Sequence, residues 1–438
     1  MKTRIFIASL LAMSVSAYAD ERPSDPMLAP LTAAPEVIRS WDDALARIRH
    51  APDLLTSLAE VEHSAGQYRI ALANVLPSVV AIGSYQHAFR TESLAFGPAT
   101  VTVPAPNTWS ISAQATWILD ARAVHGVGTA DAEIALARLS LAERKRELAG
   151  ATVTAILATL TSEHVASLAR VSLQAALERL VLTQKRLEFA HGTELDVDRA
   201  EQDVESARAQ LIQADEATRE AREGLGQLVG SSSAVGPNSD LDIEGFEQAI
   251  ASTCRPTTDV EHRADVAEAR KGLDIAERGV TDAKLRFVPT LGVSSQAGDA
   301  NVSTLGPTST WSFAATITVP LYDGGARYGA LRTARADVAR ARQALESTRI
   351  AAIIDAARAD RAIDVATQAR DVARRERDLA ARVDTRVRQG YAAGLGTSLD
   401  LVTSAQTLRQ DEIELATAEF QVARARAGAV LAHAECVF

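Results

Sequence analysis

The stretch ALRTARADVARARQALESTRIAAIIDAARADRAIDVATQARDVARRERDLAARVDTRVRQ, Ala330 to Gln389, decides the fold. It holds no Gly and no Pro, so nothing in it obliges a helix to stop; about sixty residues at 1.5 Å each would extend ~90 Å. Ordinary helices average about three turns, and a globular core needs nothing this long. Its large apolar residues are Val338, Leu345, Ile350, Ile353, Ile354, Val365, Val372, Leu379, Val383 and Val387. Abundant Ala between them permits close backbone approach, and Arg, Asp and Glu fill the rest, which is coiled-coil-like packing with a solvated face. Upstream, TVPLYDGG (Thr318 to Gly325) reads as a strand end and a sharp turn. Downstream, GYAAGLGTSLD (Gly390 to Asp400) reads as a break, after which a second helix runs on.

Proline placement extends this reading to the whole chain. Prolines cluster in Pro23 to Pro106 and again in Pro237 to Pro320, leaving two long Pro-free tracts that must be mostly helical. Sliding the chain on itself by about 210 residues, an offset loop changes shift slightly, aligns Pro77-Ser78 with Pro289-Thr290. It also aligns Trp109-Ser110 with Trp311-Ser312, and Gly192-Thr193-Glu194-Leu195-Asp196 with Gly396-Thr397-Ser398-Leu399-Asp400. The chain is therefore a duplication, each copy reading helix, strand, loop, strand, long helix, break, helix. The expected divisions are residues 1–19 as a signal peptide, 20–230 as the first copy, 231–260 as a flexible linker and 261–438 as the second copy. In the first copy a helix is expected over Ser40–Leu76, tolerating Pro52, and a long helix over Val127–Ala190 interrupted only at Gly128 and Gly150.

Between Pro77 and Asp120, and between Pro289 and Asp323, the apolar period changes to two. Trp109, Ile111, Ala113, Ala115, Trp117 and Leu119 alternate with small or polar residues, as do Trp311, Phe313, Ala315, Ile317, Val319 and Leu321. The strand pairs span 78–120 and 290–323, with loops over Thr91–Thr108 and Ala300–Thr310. Alternation alone suits a soluble sandwich equally well. The strands, however, are about ten residues long, the length of a tilted membrane crossing. Trp109, Trp117 and Trp311 sit in them as interfacial anchors would, with Tyr85 and Tyr322 nearby. Four strands cannot close a barrel, and lipid does not tolerate open edges, so sister subunits must supply the rest; three would give twelve strands.

The N-terminus carries Lys2 and Arg4, a short apolar run and Ala17-Tyr18-Ala19, the pattern of a secretory signal. No Cys follows the expected cleavage point for a lipid anchor. Taking away Lys2 and Arg4 moves the formal net charge from −10 to −12, which argues against nucleic acid as a partner. In an oxidising compartment Cys254 and Cys436 are a candidate disulfide pair; two free thiols are the alternative, and spacing leaves both open. The eight His are scattered, with no metal, nucleophile or phosphate-cradle pattern, so an enzyme, a metal site and a cofactor are not expected.

At His191-Gly192 and Gln389–Gly396 the chain must reverse. Asp196, Asp198 and Asp400 lie just past these reversals, beside helix N-termini, where capping and dipole compensation account for a single carboxylate. Repeated around an axis, the same carboxylates would form a charged constriction.

The duplicated plan, with VPLYDGG (Val319 to Gly325) leading into the Ala/Arg helix and GTSLDL (Gly396 to Leu401) at the reversal, resembles the TolC family of bacterial outer-membrane efflux proteins over nearly the whole mature chain. That resemblance implies a mixed α+β membrane protein: long tandem-repeat helical hairpins forming a coiled-coil-like tunnel, and four transmembrane β-strands per protomer contributing to a trimeric twelve-stranded barrel. It implies a homotrimer in outer-membrane lipid that extends into the periplasm and docks a periplasmic adaptor and an inner-membrane transporter, ABC-type or proton-driven. Asp400, with Asp196 and Asp198, would then stand at the periplasmic gate, although Thr403 stands where some relatives carry a second acid. Gly192, Thr193, Gly396 and Thr397 match the helix tips that adaptors grip. The absent lipid-anchor Cys tilts the expected cargo from drugs toward a protein toxin by type I secretion. The alternative is a soluble periplasmic coiled-coil adaptor or structural rod.

Overall fold

The computed structural model describes residues 25–87, 89, 93–96, 99–102, 107–238, 243–256, 259–302 and 306–436. The expected signal peptide and parts of both inter-strand loops lie outside these residues. In chain order the first copy contains β1 (Glu36–Ile38), α1 (Trp41–Ile48), α2 (Pro52–Ala73), β2 (Ser78–His87), β3 (Ser93–Phe96), β4 (Ala99–Thr102), β5 (Asn107–Leu119), α3 (Ala121–Glu188) and α4 (Glu194–Leu228). Then come β6 (Val235–Pro237), α5 (Ile243–Thr253) and β7 (Cys254–Pro256). The second copy contains α6 (Ala264–Leu285), β8 (Thr290–Val302), β9 (Gly306–Thr318), α7 (Ala326–Ala392), α8 (Ser398–Ala432) and β10 (Ala434–Cys436).

Several elements differ from the sequence reading. Pro52 divides the first helix in two: Ala51 is extended, as a residue before proline prefers, and Pro52 opens α2 at a position whose missing N–H costs nothing. The helix α3 begins earlier than expected and passes uninterrupted through Gly128 and Gly150. One glycine in a helix of 68 residues costs only about 1 kcal/mol, which packing overrides. The loop between β2 and β5 contains the hairpin β3–β4. The stretch expected to be a flexible linker is built into the fold, because β6 pairs in parallel with β1, Glu36 opposite Val235 and Ile38 opposite Pro237.

The chain packs as two compact units, each drawn from both copies. One comprises 34–158, 222–368 and 420–438. It carries the four-stranded antiparallel sheet β2-β5-β8-β9, in which the two copies meet along the β5–β8 seam. It also carries a small mixed core of Ile38, Trp41, Leu45, Ile48, Val235, Phe246 and Ile250. Trp41 stacks edge-on against Phe246 and donates its ring N–H to Thr253 Oγ1 at 3.1 Å. Arg263, buried, pairs with Asp265 at 2.8 Å and donates to the backbone oxygens of Ala352 and Ala432, which closes the end of α8. Cys254 and Cys436 face each other across the β7–β10 ladder and are joined by a disulfide.

The other unit comprises, among the described residues, 25–33, 159–221 and 369–419. Its core is an Ala/Leu seam between α3 and α4: Ala169, Leu173, Ala176, Leu177, Val204, Ala207 and Leu211. Met27 and Leu28 lie against this seam, held by an ion pair from Asp25 to Arg208 at 2.8 Å.

Candidate functional site

Both helical reversals are built from the same local chemistry. In the first, His191 N–H donates to the Arg186 carbonyl at 2.8 Å and Ala190 N–H to the Leu187 carbonyl at 2.9 Å. In the second, Leu395 N–H donates to Gly390 at 2.9 Å and Gly394 N–H to Tyr391 at 3.0 Å. Each pair of bonds ties off the last free carbonyls of a helix and requires one residue in the left-handed region. Gly394 meets that requirement at φ 78°, whereas Ala190 is forced to φ 58°. Gly192 and Gly396 fit tightly against the helix ends behind them: a Cβ would come within 3.3 Å of Leu187 N or 3.2 Å of Tyr391 N.

The next helix starts with a reciprocal cap in each case. Thr193 Oγ1 accepts from Asp196 N–H at 3.3 Å, and the Asp196 carboxylate accepts from the Thr193 N–H and hydroxyl at 2.9 and 2.8 Å. Thr397 and Asp400 repeat the arrangement at 3.2 Å in both backbone directions and 2.7 Å from the hydroxyl. This is the capping box, which satisfies otherwise orphaned donors at a helix start. Asp196 has a further partner, the hydroxyl of Ser398 at the foot of α8. That bond, with those from Thr193, holds its carboxyl below the ordinary carboxylate range. The bonds from Thr397 do the same for Asp400, which is exposed. Asp198 is exposed on the first turns of α4. Around the tips Arg186 donates to the Tyr391 carbonyl and covers the Tyr391 ring at 4.2 Å, and Arg199 donates to the Ser398 hydroxyl oxygen at 3.3 Å.

Deeper in the same unit lies a cluster that the sequence reading missed. Asp203, 1 % exposed, takes two guanidinium groups: Arg179 of α3 at 2.6 Å and Arg409 of α8 at 2.7 Å. Burial pushes the Asp203 carboxyl upward, but the bonds from Arg409 and Arg179 outweigh it and hold the group ionised, below its ordinary value. The signal was present: Asp203 sits in the run Ala200, Val204, Ala207, Leu211, where a solvated acid has no place. In the same unit a groove of about 450 Å3 opens between α7 and α8, lined by Leu379, Val383, Val387, Asp400, Thr403 and Asp411.

In the strand-bearing unit, register places the aromatic residues. Tyr85 lies opposite Trp109 at one end of β5, and Trp117 lies near the other end, donating its ring N–H to the Val75 carbonyl at 2.8 Å. Trp311 pairs with Ala297, which in turn faces Ala113, midway between Trp109 and Trp117. Val79, Ile82, Tyr85, Ile111, Phe313 and Ile317 are all exposed. Among the described residues, both outer strands, β2 and β9, end the sheet without a partner on their far side. Among the described residues no group of His, Cys, Asp or Glu is arranged to hold a metal, and no helix is long and apolar enough to cross a membrane.

The comparisons agree with this architecture. The profile of the outer membrane efflux protein family matches residues 44–231 and 259–431, and the chain belongs to that family. It is 24% identical over 307 residues to the fusaric acid resistance protein FusA of Burkholderia cepacia, covering 66% of this chain and 56% of that one. It is 24% identical over 283 residues to the toluene efflux pump outer membrane protein TtgC of Pseudomonas putida, covering 62% and 57%. The match thus spans little more than half the length of these relatives. In fold, the structure superposes on the outer membrane protein VceC of Vibrio cholerae with TM-score 0.72 and 18% identity, covering 89% of this chain and 95% of that one. Family membership puts the protein in the outer membrane, and in a family of transport proteins rather than enzymes.

Proposed function

We propose that the chain is one protomer of a homotrimeric exit duct, in which three four-stranded sheets close a twelve-stranded barrel in outer-membrane lipid and the paired helices form a tunnel reaching into the periplasm. The observation that carries this reading is the sheet β2-β5-β8-β9: its apolar residues are exposed and both of its edges are open. Water penalises such a face, and lipid penalises such edges, so a lipid-embedded closed ring is the arrangement that satisfies both. The aromatic levels at Trp109 and Trp117 are eight residues apart on β5, about 27 Å along a strand, which after tilt suits an apolar band of about 25 Å or less. Trp311, midway by register, is the weakest of the three as an interfacial anchor.

The duct needs an energy source elsewhere, so its partners are a periplasmic adaptor and an inner-membrane transporter. Thr193 and Thr397, exposed, with the half-buried Gly192 and Gly396 offer the tips for the adaptor, and Asp400, Asp196 and Asp198 the carboxylates at the gate. Asp400 is the best placed of these, since it is exposed on the groove between α7 and α8, whereas Asp196 is engaged by Ser398. The relatives carry the names of fusaric acid and toluene, which favours small organic molecules over a protein toxin as cargo.

The test is extraction of the full-length protein from outer membranes in mild detergent, followed by mass measurement and insertion into planar bilayers. A trimer that conducts, and whose cation selectivity falls in Asp400→Ala, is the expected result. A water-soluble monomer would end the reading, and unchanged selectivity in Asp400→Ala would remove the gate assignment alone.

A further inference from the structure

The disulfide lies where the duct reading has no use for it, at the seam that joins the end of the second copy to the connector between copies. Cys254 begins β7, directly after α5, and Cys436 ends β10, directly after α8; the two face each other in the antiparallel register. Cys254 is wholly buried and Cys436 almost so. The helix that leads into Cys254 buries Ile250 and Phe246, and Phe246 packs edge-on against Trp41 of α1. A separation of 182 residues makes this a closure that chain entropy strongly opposes, so the thiols gain little from random encounter before folding. After folding they are out of reach of any oxidant. The bond must therefore be made in the interval when β7 and β10 have begun to pair but the core has not closed over them.

We propose that Cys254 and Cys436 are an oxidation site, the substrate of a periplasmic protein that donates its own disulfide, and that the bond so formed pins α8 to the α5–β7 connector. The exchange balances as two displacements. One cysteine thiolate attacks the donor disulfide, forming a mixed disulfide and expelling one donor thiolate. The second cysteine thiolate attacks the sulfur of the first cysteine, closing the Cys254–Cys436 bond and expelling the other donor thiolate. Two protons pass from the cysteines to the donor, which leaves as a dithiol, reduced by two electrons. The sequence contains two cysteines, so the chain has one internal pairing and needs an oxidising donor but no isomerase. The inference rests on the outer-membrane location, which takes the chain through an oxidising compartment, and not on the duct reading.

Full-length protein is expressed in cells with and without their periplasmic dithiol oxidase, acid-quenched, and treated with a maleimide polymer under denaturing, non-reducing conditions. In oxidase-positive cells no maleimide is expected on either cysteine. In oxidase-deficient cells newly made chain carries two maleimides and accumulates at least about threefold less, the scale on which marginal stability alters abundance. Added cystine distinguishes a small-molecule oxidant: restored oxidation at the wild-type rate with cystine alone would overturn the protein donor. The double variant Cys254→Ser, Cys436→Ser should accumulate at the low level in both strains. Wild-type levels of that variant would overturn the pinning role, and doubly labelled protein in oxidase-positive cells would overturn the site itself. Finally, a phosphine reductant should open the bond in denatured protein and spare it in folded protein; equal reduction of both would overturn the timing argument.

Discussion

The helices α3 and α7 have the same origin and nearly the same length, 68 and 67 residues, yet α3 buries a row of large apolar side chains and α7 does not. On α3 the large residues Leu148, Val153, Ile156, Leu157, Leu173 and Leu177 are buried within the chain, while Val124, Val171 and Leu182 stand exposed. On α7 the buried apolar residues are Ala352, Ala356, Ala373, Ala380 and Tyr391, while Ile350, Ile353, Val365, Leu379 and Val383 stand exposed, Val365 at 65 %. Apolar side chains left bare by their own chain fit the subunit seam that the proposed trimer requires. The duplication thus supplied one copy whose long helix buries a row of large apolar residues within the chain and another whose long helix leaves such residues bare.

The contrast is broken most forcefully by placing a carboxylate on each helix. Val153→Asp buries a charge without a partner and should leave no folded protein, a loss beyond about 4 kcal/mol. Val365→Asp should keep the helical circular dichroism signal intact and abolish the trimer, read by size-exclusion chromatography with light scattering. If Val365→Asp remains trimeric, the exposed stripe is not the subunit seam.

Next in size is Asp203→Ala, which strands two buried guanidinium groups and should cost about 3–5 kcal/mol in denaturant unfolding. Because the folded carboxyl lies below its ordinary value near 3.8, its contribution is present above that pH and is lost as the pH falls through the lower folded value. A wild-type stability that stays flat below pH 4 would argue against this cluster as a stabilising link.

The two reversals give the finer comparison. Thr193→Ala and Thr397→Ala each remove a helix cap worth about 1 kcal/mol. Thr193→Ala should be the more damaging, because the Asp196 it orients also holds Ser398. Smallest is Ala190→Gly. It relieves a left-handed alanine at roughly 1–2 kcal/mol but adds about 0.5–1 kcal/mol of glycine entropy, leaving a gain of up to about 1.5 kcal/mol in thermal unfolding. The equivalent change is already present as Gly394, which makes the second reversal its built-in control.

Long-range periodicity was the readable part of the sequence. The absence of proline and the matched order of Trp109 with Trp311 and Gly192 with Gly396 sufficed for the helices, the strand pairs and their duplication, because these depend on local composition. The reversals were also legible, since Thr193-x-x-Asp196 and Thr397-x-x-Asp400 are local capping patterns. Pairings between distant elements were not. Nothing local announces that Val235 will pair with Glu36, that Arg409 will reach Asp203 across 206 residues, or that Cys254 will find Cys436. Stretches called connectors by composition alone can still be pulled into a core when a partner strand arrives from elsewhere.

The seam between β5 and β8 fuses the two copies into one slab, so the slab's free margins, β2 and β9, are unlike each other. Any ring made by joining such margins runs head to tail, each β9 seeking the next β2, with no two-fold contact available to stop at a dimer. How many slabs go round is then a question of curvature: strand tilt and shear fix the circumference, as the taper of staves fixes the girth of a cask.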